Sequence, residues 1–409
     1  MQGCHVRVLS ICSNTDYNSK MKNQKIEIAS SSAFSSSPTW VPTAVFYQIF
    51  PDRFAFSAQH KKPLNLEPWD SAPTTFGFKG GDLLGVIERL DYLEDLGINA
   101  LYFTPIFSST ANHRYHTHDY YHIDWILGGN EAFRSLLKAA HSKGMKVILD
   151  GVFNHASRGF YQFNHTLENG KFSPFIDWFH FNQDWLESGE PINAYAIHHG
   201  HHKKTVEETS LGAFGYQAWW DIPSLPKFNT KNPEVREFLF NVVEYWTHFG
   251  IDGWRLDVPM EINDDSFWQE FRRRVHAINP EAYIVGEIWE EADRWLKGDQ
   301  FDGVMNYQLS RACIGFFLAD HLNEEELQKC GYKDIQRLSA FDFSKRLNEL
   351  MTIYPKPATY CQMNLLGSHD TPRILTSGSG DVAGVKMSFL CLMTIPGAPC
   401  IYYGDEIGM

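Results

Sequence analysis

From Val41 onward the chain alternates short apolar runs with stretches of helical spacing. The run Ala44-Val45-Phe46-Tyr47-Gln48-Ile49-Phe50 is dense enough in apolar and aromatic residues to be a strand buried on both faces. Leu83, Val86, Ile87, Leu90 and Leu93 then recur at the intervals of one helix face, and Gly97 stands where that helix should stop. Residues 98–103 read as a second strand, ended by Thr104-Pro105. Phe133, Leu136, Leu137 and Ala140 mark the next helix, closed by Gly144, and 145–150 form a third strand. The most regular helix carries Val235, Phe238, Leu239, Val242, Val243 and Trp246 on one side, behind the start signal Asn232-Pro233-Glu234. Runs at 251–257, 283–288, 302–307, 362–367 and 399–403 bring the strand count to eight.

Parallel neighbours need crossover helices, so eight strands with intervening helices predict an α/β fold, a (β/α)8 TIM barrel. A doubly wound open sheet is the alternative, but it rarely needs eight such units. Two connections are unusually long. The stretch 155–230 exceeds any ordinary strand-to-helix loop and is expected to be a small excursion domain after strand 3, at the C-terminal face of the barrel. The link from strand six to strand seven is also long, with helical spacing at 335–351. Residues 1–40 read as a low-complexity tail, because Ser30, Ser31, Ser32, Ser35, Ser36 and Ser37 crowd before Pro38 with little periodicity. The barrel then comprises 41–154 and 231–409. The chain reaches Met409 directly after the eighth strand, so an eighth helix is expected to be missing and apolar surface of that strand to be uncovered.

Composition narrows the class of partner. Hydrophobic residues make up 43% and charged residues 21%, a globular balance, and no run of about 18 apolar residues suggests a membrane span. The net charge of −13 argues against nucleic acid and anionic membrane as partners. Seven scattered cysteines without a CxxC form neither a disulfide framework nor a zinc site. The most apolar part of the N-terminus is interrupted by Arg7 and Ser10, a poor signal peptide, so the protein is read as cytoplasmic. Aromatics are abundant, with 30 Phe, 18 Tyr and 12 Trp, which suits either a large core or flat neutral ligands such as sugars.

Active sites of such barrels form at the C-terminal ends of the strands. Strand three ends in Asp150-Gly151-Val152-Phe153-Asn154-His155, strand four in Gly253-Trp254-Arg255-Leu256-Asp257, strand five in Gly286-Glu287-Ile288-Trp289 and strand seven in Gly367-Ser368-His369-Asp370. Carboxylates, two histidines and an arginine therefore converge on one rim. Glycosidic cleavage needs one carboxyl that delivers a proton and another that stays ionised beside an oxocarbenium-like centre. Arg255, two residues before Asp257, shares its face of the strand and favours its ionised, nucleophilic form. Glu287, beside apolar Ile288 and Trp289, suits the acid role, leaving Asp370 as a third carboxylate that binds and distorts the sugar.

These four stretches, at 150–155, 253–258, 286–289 and 366–373, resemble in order the four short motifs of the α-amylase superfamily, glycoside hydrolase family 13. The stretches 46–54, 101–107, 225–229 and 402–409 bring the resemblance closer to the cyclomaltodextrinase, neopullulanase and maltogenic amylase group. The resemblance implies a retaining double displacement, with Asp257 as nucleophile, Glu287 as general acid/base and Asp370 as transition-state stabiliser. It further implies that Arg255, His155 and His369 hold the glucosyl ring, with Asn154 in support, and that Tyr115 stacks under it. The implied substrates are cyclodextrins, maltooligosaccharides, pullulan or starch. An α-glucosidase or transglycosylase of the same superfamily, or a silent carbohydrate-binding homologue, stands as the alternative. Relatives carry a C-terminal β-domain and dimerise through an N-terminal one, neither of which is expected here, so the oligomeric state is open.

Departures from the group matter. His116 stands where the group shows Asp, and Pro259-Met260-Glu261 replaces Ala-Asn-Glu, which bears on acceptor specificity. The loop that holds calcium in relatives reads Ala55-Phe56-Ser57-Ala58-Gln59-His60-Lys61-Lys62 here; Gly81 and Asp82 remain, but calcium wants several oxygen ligands. No cofactor is expected to be required, calcium at this loop being the less favoured alternative, and no metal ligand is assigned. His198, His199, His201 and His202, followed by Lys203 and Lys204, read as a solvated loop. Trp219-Trp220 is equally compatible with sugar stacking and with packing.

Overall fold

The computed structural model describes residues 37–195 and 209–409; the serine-rich stretch up to residue 36 and the histidine tract lie outside the described residues. Eight parallel strands form the barrel: β1 (Phe46–Ile49), β2 (Ala100–Phe103), β3 (Lys146–Gly151), β4 (Gly253–Leu256), β5 (Tyr283–Gly286), β6 (Gly303–Val304), β7 (Met363–Leu365) and β8 (Ala398–Tyr402). Their order in the sheet is β6-β5-β4-β3-β2-β1-β8-β7, and a parallel bridge between Met305 and Met363 joins its two ends. The expected (β/α)8 barrel is therefore the fold. All eight expected strands occur; β3 and β8 keep the length of their apolar runs, shifted by one residue, and the other six are shorter than theirs.

Side chains two apart share a face of a strand, which sorts the core into two clusters. Phe46, Ala100, Tyr102, Ile148, Tyr283, Val285, Met363, Leu365, Ala398 and Cys400 belong to one buried cluster. Tyr47, Ile49, Leu101, Phe103, Val147, Leu149, Trp254, Leu256 and Ile284 belong to the other, with the helix residues Leu136, Val235 and Val243. The first set fills the barrel and the second lies under the helices. Asn232 caps Pro233–Phe249 by accepting from Glu234 N, and Gly250, in the left-handed region at φ 114°, ends that helix. The expected single helix through Leu83 and Leu93 is split into Leu83–Ile87 and Leu90–Asp95, because Arg89 at φ −108° and ψ 1° leaves the helical region.

Residues 155–230 hold short helices at Tyr161–Asn169, Gln183–Ser188 and Ser210–Phe214, with antiparallel bridges His155–Lys227, Phe179–Phe228, Phe181–Tyr216 and Ala218–Pro226. Phe163, Phe179, Phe181 and Tyr216 pack edge-to-face and stacked in their centre, which uses part of the aromatic excess as core. A hairpin missed in the sequence pattern, Phe107–Ser109 with Thr117–Ile123, follows β2 and carries Tyr115 in its turn. The long link to β7 is helical at Tyr307–Phe317, Ala340–Thr352 and Lys356–Tyr360.

Ordered packing begins ahead of residue 41: Thr39 N donates to Glu281 Oε2 at 2.7 Å and Trp40 Nε1 to Glu281 O at 2.8 Å. β8 is itself buried between β1 and β7; the exposed apolar positions nearby are Met387, Leu390 and Met393 on the preceding helix, Val382–Thr394. No helix among the described residues is long and apolar enough to cross a membrane.

Candidate active site

The barrel-facing positions at the ends of β1 to β4 are polar: Gln48, Tyr102, Asp150 and Arg255. Arg255 is fully buried and is the hub of the site. Its NH1 donates to Asp150 Oδ1 and Oδ2 at 2.9 and 3.0 Å and to Asp257 Oδ1 at 3.0 Å, while NH2 lies 3.0 Å from Glu287 Oε2. Glu287 is fixed from two further directions. Val258 N donates to its Oε2 at 3.1 Å, from a left-handed backbone (φ 36°) that a β-branched residue rarely adopts, and Trp289 Nε1 donates to Oε1 at 3.1 Å. Trp289 is in turn locked face to face on Tyr307, with ring centroids 3.6 Å apart.

Asp370 sits at the mouth. Its side chain is 38% exposed, against 8% for Asp257 and 7% for Glu287, and its Oδ2 lies 3.2 Å from His369 Nε2. His369 stacks on Tyr115 with centroids 5.2 Å apart, and its Nε2 is 2.5 Å from the Tyr115 hydroxyl. That hydroxyl donates to Asp150 Oδ2 at 2.8 Å, where Tyr102 also donates at 2.9 Å. Asn154 Nδ2 lies 3.2 Å from His155 Nδ1, and the His155 ring stacks on Trp219, which stacks on Trp220. All eight residues singled out in the sequence therefore meet at one rim.

Electrostatics add a feature that strand pattern hides. One guanidinium faces three buried carboxylates, so burial and the mutual repulsion of their charges work against its pull. Burial pushes the Asp257 carboxyl well above its usual range; Arg255 opposes this, and the charges of Glu287, Asp150 and Asp370 reinforce it. Asp150 is likewise raised by burial against the pull of Arg255. The expectation that Arg255 favours the ionised form of Asp257 thus captures one of two opposing effects, of which burial is the larger. Burial holds His155 down at about 3 and, with Arg255, His369 at about 4, so both rings are neutral near pH 7. Asp257 Oδ2 and Asn154 Oδ1 are buried and have no hydrogen-bond partner.

Three contributors escaped the sequence reading. Asp150 was visible in its motif but without a role; it is the shared acceptor of Arg255, Tyr115 and Tyr102. Gln48 donates to His369 Nδ1 at 2.8 Å, and its signal was a lone polar residue inside an apolar strand. Tyr102 carried none, since a buried tyrosine in a strand reads as core.

The calcium loop does not fit a dication. Lys62 Nζ lies 2.6 Å from Asp82 Oδ2 and donates to Ile126 O at 2.9 Å, placing a positive charge among the oxygens a metal would use. Asp82 also accepts from Ser57 N and Gly85 N. Among the described residues, no three His, Cys, Asp or Glu side chains gather so as to hold a metal ion.

Comparison with known proteins places this rim in context. The family described as alpha amylase, catalytic domain, matches residues 48–409. A cyclomaltodextrinase of Geobacillus thermopakistaniensis (strain MAS1) is 45% identical over 374 residues, which are 91% of this chain and 57% of that enzyme. The chain thus spans little more than half the length of that curated relative. The crystal structure of a debranching enzyme from Nostoc punctiforme is 50% identical, with a TM-score of 0.79 over 91% of this chain and 73% of that one. Cyclic α-maltosyl-(1→6)-maltose hydrolase from Arthrobacter globiformis, in complex with that sugar, is 39% identical with a TM-score of 0.79, covering 91% and 76% of the two chains.

Proposed function

The chain belongs to the alpha-amylase family through its catalytic domain, and on that footing we propose that it is a retaining α-glucan hydrolase. Its substrates are cyclodextrins, maltooligosaccharides, pullulan or starch, cut at α-1,4 linkages and at α-1,6 linkages where the acceptor side admits them. The observation that carries the reading is the placing of Asp257 and Glu287 on one buried guanidinium, with Asp257 Oδ2 left without a partner.

In this reading Glu287 gives its proton to the glycosidic oxygen while Asp257 Oδ2 attacks the anomeric carbon. The bond to the leaving sugar breaks, and an ester to Asp257 forms with inverted configuration. The Glu287 carboxylate then takes a proton from water, whose oxygen attacks the same carbon; the ester breaks and Asp257 is released, giving net retention. As the glycosidic bond breaks, the developing oxocarbenium-like centre favours the ionised form of Asp257, its positive charge adding to that of Arg255. The hydroxyls of the glucosyl ring fall to His155, His369, Asp370 and Arg255, and its face to Tyr115. The names of the similar enzymes support the substrate class.

The test is Asp257→Ala, which should abolish release of glucose or maltose from β-cyclodextrin while binding remains measurable by calorimetry. Undiminished turnover would overturn the reading. Early-time NMR of the wild-type products should show the α-anomer first; the β-anomer would point to inversion.

A further inference from the structure

Residues 55–82 contain no helix or strand, yet two lysine ammoniums gather the loop around themselves. Lys62, with 15% of its side chain exposed, meets the fully buried Asp82 carboxylate and the Ile126 carbonyl. Lys79 Nζ donates to Pro68 O at 2.7 Å and to Ser71 O and Oγ at 2.6 Å, with Glu67 Oε2 3.6 Å away. These are oxygen nests of the kind that bind hard cations, each filled by a charge tethered to the chain. The neighbouring aspartates are also matched. Asp52 accepts from Lys79 N and Gly80 N, and Asp124 faces the buried Arg114 at 3.5 Å.

The loop is tied to the turn that carries Tyr115 by Asn112, and the Arg114 guanidinium lies 5.9 Å from the centre of the Phe78 ring. Asn112 Nδ2 donates to Thr75 O at 3.0 Å and Gly77 O at 2.7 Å, and Asn112 O accepts from Arg114 NH1 at 2.6 Å. Asn112 and Arg114 lie in the same hairpin turn as Tyr115. Asn112 thus joins the loop, at Thr75 and Gly77, to the segment that presents the Tyr115 ring.

We propose that Lys62 is a built-in cation, a positioning residue whose ammonium takes the structural role of a divalent ion in this loop and, through Asn112, sets Tyr115 against the substrate. The effect on substrate rests on the glucan-hydrolase reading; the structural effect does not. An ammonium offers three donors at a compact point charge, and two oxygens of this nest accept from it. Calcium takes six to eight oxygens, and Asp82 is already committed to two backbone N–H groups as well as Lys62. A tethered cation cannot be chelated away, and its occupancy does not vary with metal concentration.

The experiment compares the wild-type chain with Lys62→Met and Lys62→Arg by thermal melting, with EDTA or with millimolar calcium chloride, and by hydrogen exchange over 55–82 and 110–116. Wild-type melting should be the same in both solutions, because a specific ligand of the folded state would raise it. Lys62→Met should melt earlier, exchange faster in both segments and raise KM for β-cyclodextrin more than it lowers kcat; Lys62→Arg should recover part of the protection. A wild-type melting temperature lowered by EDTA and restored by calcium would overturn the proposal, as would unchanged exchange in Lys62→Met. Should Lys62→Met fail to fold, the wild-type chelation series and Lys62→Arg still decide it. Melting and exchange need no turnover, so failure of the hydrolase reading would show separately, as a wild-type chain inert on every glucan.

Discussion

Gln48 Nε2 lies 2.8 Å from His369 Nδ1 and so ties the first strand of the barrel to the loop after the seventh. The donor order that satisfies the whole path runs from the Gln48 amide to His369 Nδ1, from His369 Nε2–H to the Tyr115 oxygen, and from the Tyr115 hydroxyl to Asp150. One amide thereby fixes the tautomer of the histidine proposed to hold the sugar. Gln48→Met keeps the bulk and leaves Nδ1 unpaired in a buried place, which costs about 1–3 kcal/mol. Steady-state kinetics on β-cyclodextrin should show kcat/KM down by about tenfold or more, with an unchanged circular dichroism spectrum. A variant as active as wild type would show that the contact does not orient the ring.

Asp150→Asn probes the crowding of carboxylates around Arg255. In the proposed mechanism Asp257 attacks in its ionised form, so the acid limb of the pH profile of kcat/KM should report its titration within the coupled group. The charge on Asp150 raises the Asp257 carboxyl. Removing it lowers that carboxyl and also frees Arg255 to favour the ionised form, and both effects move the acid limb to lower pH. The plateau should fall as well, because Tyr115, Tyr102 and Arg255 lose their shared anionic acceptor. A limb displaced to higher pH would contradict the role given to Asp150.

Gly303 stands at the seam where the barrel closes. A Cβ there would lie 2.0 Å from the Cys361 carbonyl oxygen and 2.7 Å from its carbon, both backbone atoms, with the Tyr283 hydroxyl at 3.1 Å. Gly303→Ala must therefore push β6 away from the Cys361 backbone just ahead of β7, at a cost of about 1–3 kcal/mol or more. Gly212→Ala, where nothing lies within 4 Å, serves as the control and should be neutral or slightly stabilising. Urea unfolding of both variants decides the matter; equal midpoints would mean that the seam yields without strain.

The barrel was legible because its strands are apolar on both faces and their polar ends mark the rim. Asp257, Glu287 and Asp370 stood out for that reason: each ends an apolar run. The rest lay in relationships that no local pattern carries. Tyr102 and Gln48 act through partners 48 and 321 residues away. The hairpin under Tyr115 is irregular, with register shifts on both sides of Ser108, so its alternation is blurred. Lys62 had no role in the sequence pattern, because burial of an ammonium depends on what the distant Asp82 and Ile126 bring to it. The balance between burial and Arg255 at Asp257 is likewise a property of the assembled cluster.

β1 has two neighbours of very different origin. β2 is made soon after it, whereas β8, whose Cys400 pairs with Phe46, is made only after all the other strands of the barrel. Until then one side of β1 offers unpaired N–H and C=O groups, and the interior layer that ends in Gln48 has no outer wall. Pairing between strands so distant in sequence also slows folding. The nascent chain must therefore wait on the ribosome with an open sheet edge, prone to pair with other chains and suited to chaperone capture, and it acquires its catalytic rim only when the ring closes.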